Sequence, residues 1–103
     1  SAASDVYKRQ ELDQAAREQL GAPGASAAVA ALSQGLPEGP LEADAAKALL
    51  ESAATAAGVK KGVLMKSARA ALLGSLQGPD LLTTLTLLHR LGEAGPRLAG
   101  VTG

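Results

Sequence analysis

The stretch "LMKSARAALLGSLQGPD", residues 64–80, decides how the rest of the chain is read. At 100° per residue, Leu64, Met65, Ala68, Ala71 and Leu72 converge on one side of a helix, while Gly62, Lys66, Arg69 and Leu73 form a strip on the other. The spacing predicts a helix from Lys60 or Lys61 to Leu73, with its apolar side packed and its basic strip facing out. Gly74 ends it and Ser75 to Gly78 make a loop. Pro79 then fits the first position of a following helix, where a missing N–H is no loss, and Asp80 suits the positive end of that helix's dipole.

On the N-terminal side, Leu41 to Ala57 reads as a helix with Leu41, Ala45, Ala48 and Leu49 on one face, closed by Gly58 in the left-handed conformation. "ASAAVAALSQGL" is an earlier helical run stopped by Gly35 and the break Pro37, Gly39, Pro40. "ELDQAAREQL" ends a helix at Gly21. On the C-terminal side, Leu81, Leu82, Leu85, Leu88 and Leu91 give the helix after Pro79 a broad buried face, Gly92 closes it, and "EAGPRLAGVTG" is a short terminal segment. Residues 1–10, "SAASDVYKRQ", lack this rhythm and hold the only Tyr. They are set aside as adaptor-like or disordered, the domain being residues 11–103 and the native chain continuing upstream of Glu11.

Composition agrees with helices. Of 103 residues, 47% are hydrophobic but only 1% aromatic, with no Phe or Trp, so the core rests on Leu, Ala and Val, and Ala and Leu are strong helix formers. The expected fold is all-α, a single small bundle of about five helices. With no Cys there are neither disulfides nor thiolate metal sites, and no apolar run approaches the roughly 20 residues that cross a bilayer, so a soluble protein without a membrane partner is expected.

Net charge is zero, but its distribution is not even. Between Glu11 and Gly58 the acids far outnumber Arg17 and Lys47, whereas from Val59 to Pro79 there are Lys60, Lys61, Lys66 and Arg69 and no acid. Such a strip can orient an anionic ligand. It also leads into a helix start, whose free N–H groups suit phosphate or base acceptors. The lack of aromatics removes stacking platforms, so base reading falls to the Arg69 guanidinium, backbone groups around Gly78 and Pro79, and apolar contact from Leu81. Catalysis has little to work with. His89 is the only histidine and stands near a helix C-terminus, as a dipole partner or surface residue; no phosphate loop or metal-ligand pattern is present.

The run "GVKKGVLMKSARAALLGSLQGPDLLTTLTLLHRLGEAGPRL" resembles the end of the anticodon-binding region of bacterial-type glutamyl-tRNA synthetases, through Gly-x-Lys, Leu-Met, Arg-x-Ala-Leu-x-Gly, Gly-Pro and a terminal Pro-Arg-Leu. The resemblance is strong from Leu41 to Leu98 and looser back to Glu11. It implies an all-helical domain of the α-helix cage type that follows a Rossmann-type catalytic domain. It implies that Arg69 lies against the anticodon bases and that Gly78, Pro79 and Leu81 line their pocket. Lys60, Lys61 and Lys66 are added from the charge strip as phosphate contacts. The expected partner is the glutamate tRNA, with the glutamine tRNA left open, and not DNA. The chain is expected to be a cytoplasmic monomer without catalytic residues or a cofactor of its own, ATP belonging to the catalytic domain. The sequence departs from the family at Ala68, where a Leu is usual and a small void is expected, and at Leu73, where a Thr is usual. Leu73 either meets a base edge or is simply exposed. The competing expectation is a protein-interaction domain that docks through its Leu-rich fifth helix and binds no nucleic acid.

Overall fold

The computed structural model describes residues 12–102, with the side chains of 12–101. Within them are six helices and no strand: α1 Gln14–Leu20, α2 Ala25–Gly35, α3 Ala43–Ala57, α4 Lys61–Leu73, α5 Leu81–Arg90 and α6 Ala94–Thr102. The domain is all-α, as expected, with one more helix than the pattern suggested. The expectation for residues 1–10 falls outside the described residues.

Helix α2 lies against α3, α4 and α6, α4 is also packed by α1, and α5 closes the bundle over α3, α4 and α6. The core is aliphatic throughout. Val29, Leu32, Leu64, Leu72, Leu81, Leu85 and Leu98 have no more than 1% of their surface exposed, and alanines fill the spaces between them. Gly58 and Gly74 adopt the left-handed conformation after α3 and α4, as the sequence predicts for Gly58, and donate their N–H groups back to the preceding turn.

Three expectations about faces are corrected. On α3 the buried side carries Ala46, Leu50, Ala53 and Ala54, while Ala45 and Ala48 are exposed and Leu49 is half-buried. In a helix this rich in alanine nearly every face is weakly apolar, and the choice between neighbouring Leu49 and Leu50 falls to packing. On α5, Leu91 is 58% exposed, because it stands at the cap just past the helix, and Thr84 is buried among the leucines instead. On α4, Ser67 and Ala70 join the predicted buried residues.

The terminal segment, expected as a short non-helical end, forms α6. Pro96 sits in its first turn, where a proline breaks no intrahelical bond, and Ala94 and Leu98 are fully buried. Arg97 fastens the helix: Nη1 donates to the Leu72 carbonyl at 2.8 Å, in the last turn of α4, and Nη2 meets Glu93 Oε1 at 2.7 Å. At the other end, the Asp13 N–H donates to the Gly74 carbonyl at 2.9 Å and Gln19 Nε2 to the buried Ser67 Oγ at 3.2 Å. The C-terminal end of α4 is thus tied from both sides, which steadies the loop that leaves it.

Candidate nucleic-acid interface

Helix α4 ends, the chain turns through residues 74–80, and α5 begins. Arg69 on α4 spans that turn: Nη1 donates to the Pro79 carbonyl at 2.6 Å and to the Gly78 carbonyl at 3.3 Å. The basic strip and the Gly-Pro turn are therefore brought together, nine and ten residues apart in sequence, by a charge-assisted contact. Two further restraints hold the turn. Ser75 Oγ accepts the Gln77 N–H at 3.1 Å, and Gly78 adopts φ 147°, a region open to glycine and strained for other residues. A Cβ placed on Gly78 would stand 3.1 Å from Leu73 Cδ1. Leu73 is half-buried against this turn, so its side chain supports Gly78 and is not simply exposed.

Pro79 is not the first residue of α5. Asp80 is the N-cap and Leu81 the first helical residue, because the Asp80 carboxylate accepts the Thr83 N–H at 3.0 Å and thereby sets the helix start. The same oxygen, Oδ2, accepts the Thr83 hydroxyl at 3.1 Å. These bonds, the backbone one foremost, with the charge of Arg69 adding to them, hold the Asp80 carboxyl below the usual carboxylate range. An anionic side chain already occupies this helix start. The expectation that its N–H groups stand free for phosphate is corrected.

Leu81 lies in the core. Only 1% of it is exposed, since it faces the core in the first turn of α5, and it supports the turn from beneath where direct apolar contact with a base was expected. The outward surface here consists of Gln77, Gly78, Pro79 and Asp80, with Arg69 half-buried beside them.

The basic strip divides. Lys66 is exposed one turn before Arg69 and on the same side of α4. Lys60 is the exposed N-cap of α4, with no side-chain cap bond. Lys61 lies 3.7 Å from Glu51 of α3, both more than half exposed. The strip is free of acids in sequence but not in space, because the turn at Gly58 folds α4 back beside α3. Ala68, where a void was expected, is fully buried and belongs to the core cluster with Leu64 and Leu72.

His89 Nε2 lies 2.8 Å from the Gly39 carbonyl, so the ring pins the segment between α2 and α3 onto α5. Given an acceptor carbonyl, Nε2 carries the proton. The histidine borders an open cleft with Leu36, Pro37, Pro40, Arg90 and Pro96, which none of the predicted site residues lines. Among the described residues, no group of three His, Asp or Glu side chains is placed to hold a metal ion, and no helix is long and apolar enough to cross a membrane. Sequence reasoning missed Arg97; its four-residue spacing from Glu93 was the available signal.

Comparison with known proteins bears on this geometry. Residues 2–92 match the family model described as an anticodon binding domain, a span that takes in most of the ten residues set aside above. The chain is 54% identical over 104 residues to a glutamate–tRNA ligase of Synechococcus sp. (strain CC9605), covering 98% of this chain and 22% of the relative. It is 54% identical over 99 residues to the glutamate–tRNA ligase of Parasynechococcus marenigrum (strain WH8102), covering 93% and 21%. With the glutamate–tRNA ligase of Synechococcus elongatus (strain ATCC 33912 / PCC 7942 / FACHB-805) it shares 51% over 88 residues, covering 85% and 18%. The chain spans about a fifth of the length of these relatives.

Proposed function

The chain belongs to the anticodon binding domain family, and on that premise we propose that it is the tRNA-gripping module of a glutamate–tRNA ligase. In this reading it recognises the anticodon of the glutamate tRNA, while ATP-dependent attachment of glutamate is carried out by a catalytic domain outside this chain. A cytoplasmic location and action as a monomer come with the proposal. Recognition of the glutamine tRNA is a separate question of specificity.

The observation that supports it most is the Arg69 contact with the Gly78 and Pro79 carbonyls. It places a cation, a glycine-opened backbone and a rigid proline side by side on an exposed surface. That is a means of holding an unstacked base without aromatic side chains. Arg69, Gly78 and Pro79 are assigned to the anticodon, with Leu81 and Leu73 supporting the turn, and Lys60 and Lys66 are assigned to phosphates. Lys61 contributes less, because Glu51 already offsets its charge.

The exposed Leu87 and Leu91 keep a protein-docking role for α5 as the second reading. Salt separates the two. Titration of the full chain with glutamate tRNA, and with the same tRNA carrying a scrambled anticodon, is expected to show tighter binding to the first, weakening steeply with salt. Equal affinity for both tRNAs would remove anticodon recognition, and salt-insensitive association would favour docking through apolar surface.

A further inference from the structure

In the turn at the start of α5, the groups that face solvent are unequal in what they can still bond. Arg69 Nη1 is committed to the Gly78 and Pro79 carbonyls. Those two carbonyls are therefore partly used, and the same guanidinium keeps its Nη2 and Nε donors. At Asp80, both intramolecular bonds fall on Oδ2. Neither of those bonds uses Oδ1, the Leu82 N–H also bears on the carboxylate, and the residue is exposed. An ionised carboxylate accepts only, and hydrogen bonds and the nearby Arg69 charge keep Asp80 ionised.

A carboxylate is an unfavourable choice for a surface that meets phosphates. Ser, Thr or Asn would cap α5 about as well. What Asp adds over them is a full negative charge, which suits the dipole of α5 and also sets a charged acceptor beside a guanidinium. That pair matches a base edge on which an amino donor adjoins a ring-nitrogen acceptor. Carboxylate to the cytosine amino group is an established pairing in base recognition.

We propose that Asp80 is a specificity-determining residue of the anticodon site: its exposed carboxylate accepts, through Oδ1, a hydrogen bond from the exocyclic amino group of one anticodon base, while Arg69 holds the turn and faces the neighbouring acceptor of that base. This rests on the anticodon-binding reading above. A base with a carbonyl in place of the amino group sets an oxygen against Oδ1 and is rejected. Arg69 is accordingly in part a positioning residue, acting through the Gly78 and Pro79 carbonyls.

The test uses the full chain and anticodon stem-loop RNAs in which cytosine and uracil are exchanged at each anticodon position in turn. For the wild-type chain, one position is expected to prefer cytosine, by about 5- to 100-fold in affinity. Asp80→Asn keeps the helix cap but turns an amide toward the base, and is expected to abolish or invert that preference, with unchanged slope against salt. Asp80→Ser, a second cap-competent variant, is expected to flatten it without inversion. Circular dichroism and melting confirm that both variants fold. If the preference survives intact in Asp80→Asn, the assignment of Asp80 is overturned while anticodon binding stands. If the wild-type chain shows no dependence on any anticodon position, the anticodon reading itself falls, and this proposal with it.

Discussion

Single residues in this domain act mostly through the backbone groups they hold. Asp80 illustrates it, since its carboxylate holds the first turn of α5 through Thr83. Because its folded-state pKa is lowered, its contribution to stability is present in full above the unfolded value, near 3.8, and is lost as pH falls through the folded value. The melting temperature of the wild-type chain should therefore converge on that of Asp80→Asn as the pH falls below about 4, their difference being constant above about pH 5. A difference that instead grows in acid would contradict the stated role of the carboxylate. Gly78 acts by what it lacks. Gly78→Ala should lower stability by about 1–2 kcal/mol in a denaturant titration, through φ 147° and the crowding of Leu73. At this scale the sequence was only half legible. It pointed to Arg69, Gly78 and Pro79 as one group, but the direction in which Leu73 and Leu81 point depends on how α5 lies over α4, and a single-helix projection does not contain that.

Among the elements, α2 to α5 were readable because glycine and proline punctuate them: Gly35, Pro37 and Pro40 before α3, Gly58 before α4, Gly74 and Pro79 before α5. Helix α6 was not. Its sequence, AGPRLAGVT, carries two glycines and a proline in nine residues, so intrinsic propensity argues against a helix. Tertiary contacts override it, through the burial of Ala94 and Leu98 and the bond from Arg97 to the last turn of α4. Arg97→Ala removes that bond and the pairing with Glu93, and should cost about 1–2 kcal/mol. Hydrogen exchange should show the loss concentrated in α6 and the end of α4. Protection unchanged in α6 would mean that apolar packing alone holds it. The face of α3 was illegible for another reason, since alanines surround the helix and a choice between adjacent leucines carries little periodic signal.

For the whole molecule, zero net charge means that binding to an anion depends on where the cations stand, not on how many there are. The fold subtracts Lys61 by bringing Glu51 to it, and leaves Lys66 on the side of α4 that carries Arg69. Lys66→Ala should flatten the dependence of log affinity for tRNA on log salt by roughly 0.7–0.9, the weight of one phosphate contact, and Lys61→Ala by clearly less. Equal effects from the two lysines would mean that the pairing with Glu51 does not persist in the complex. The central claim is that Arg69 and the turn it holds recognise the anticodon together. A double-mutant cycle tests it most directly, measuring the affinity of wild-type and Arg69→Ala chains for the glutamate tRNA and for its anticodon-scrambled form. Arg69→Ala is expected to lose about tenfold or more on the native anticodon and little on the scrambled one, so that the two losses do not add. Losses that add in full would show that Arg69 supplies only general affinity for RNA, contradicting the account.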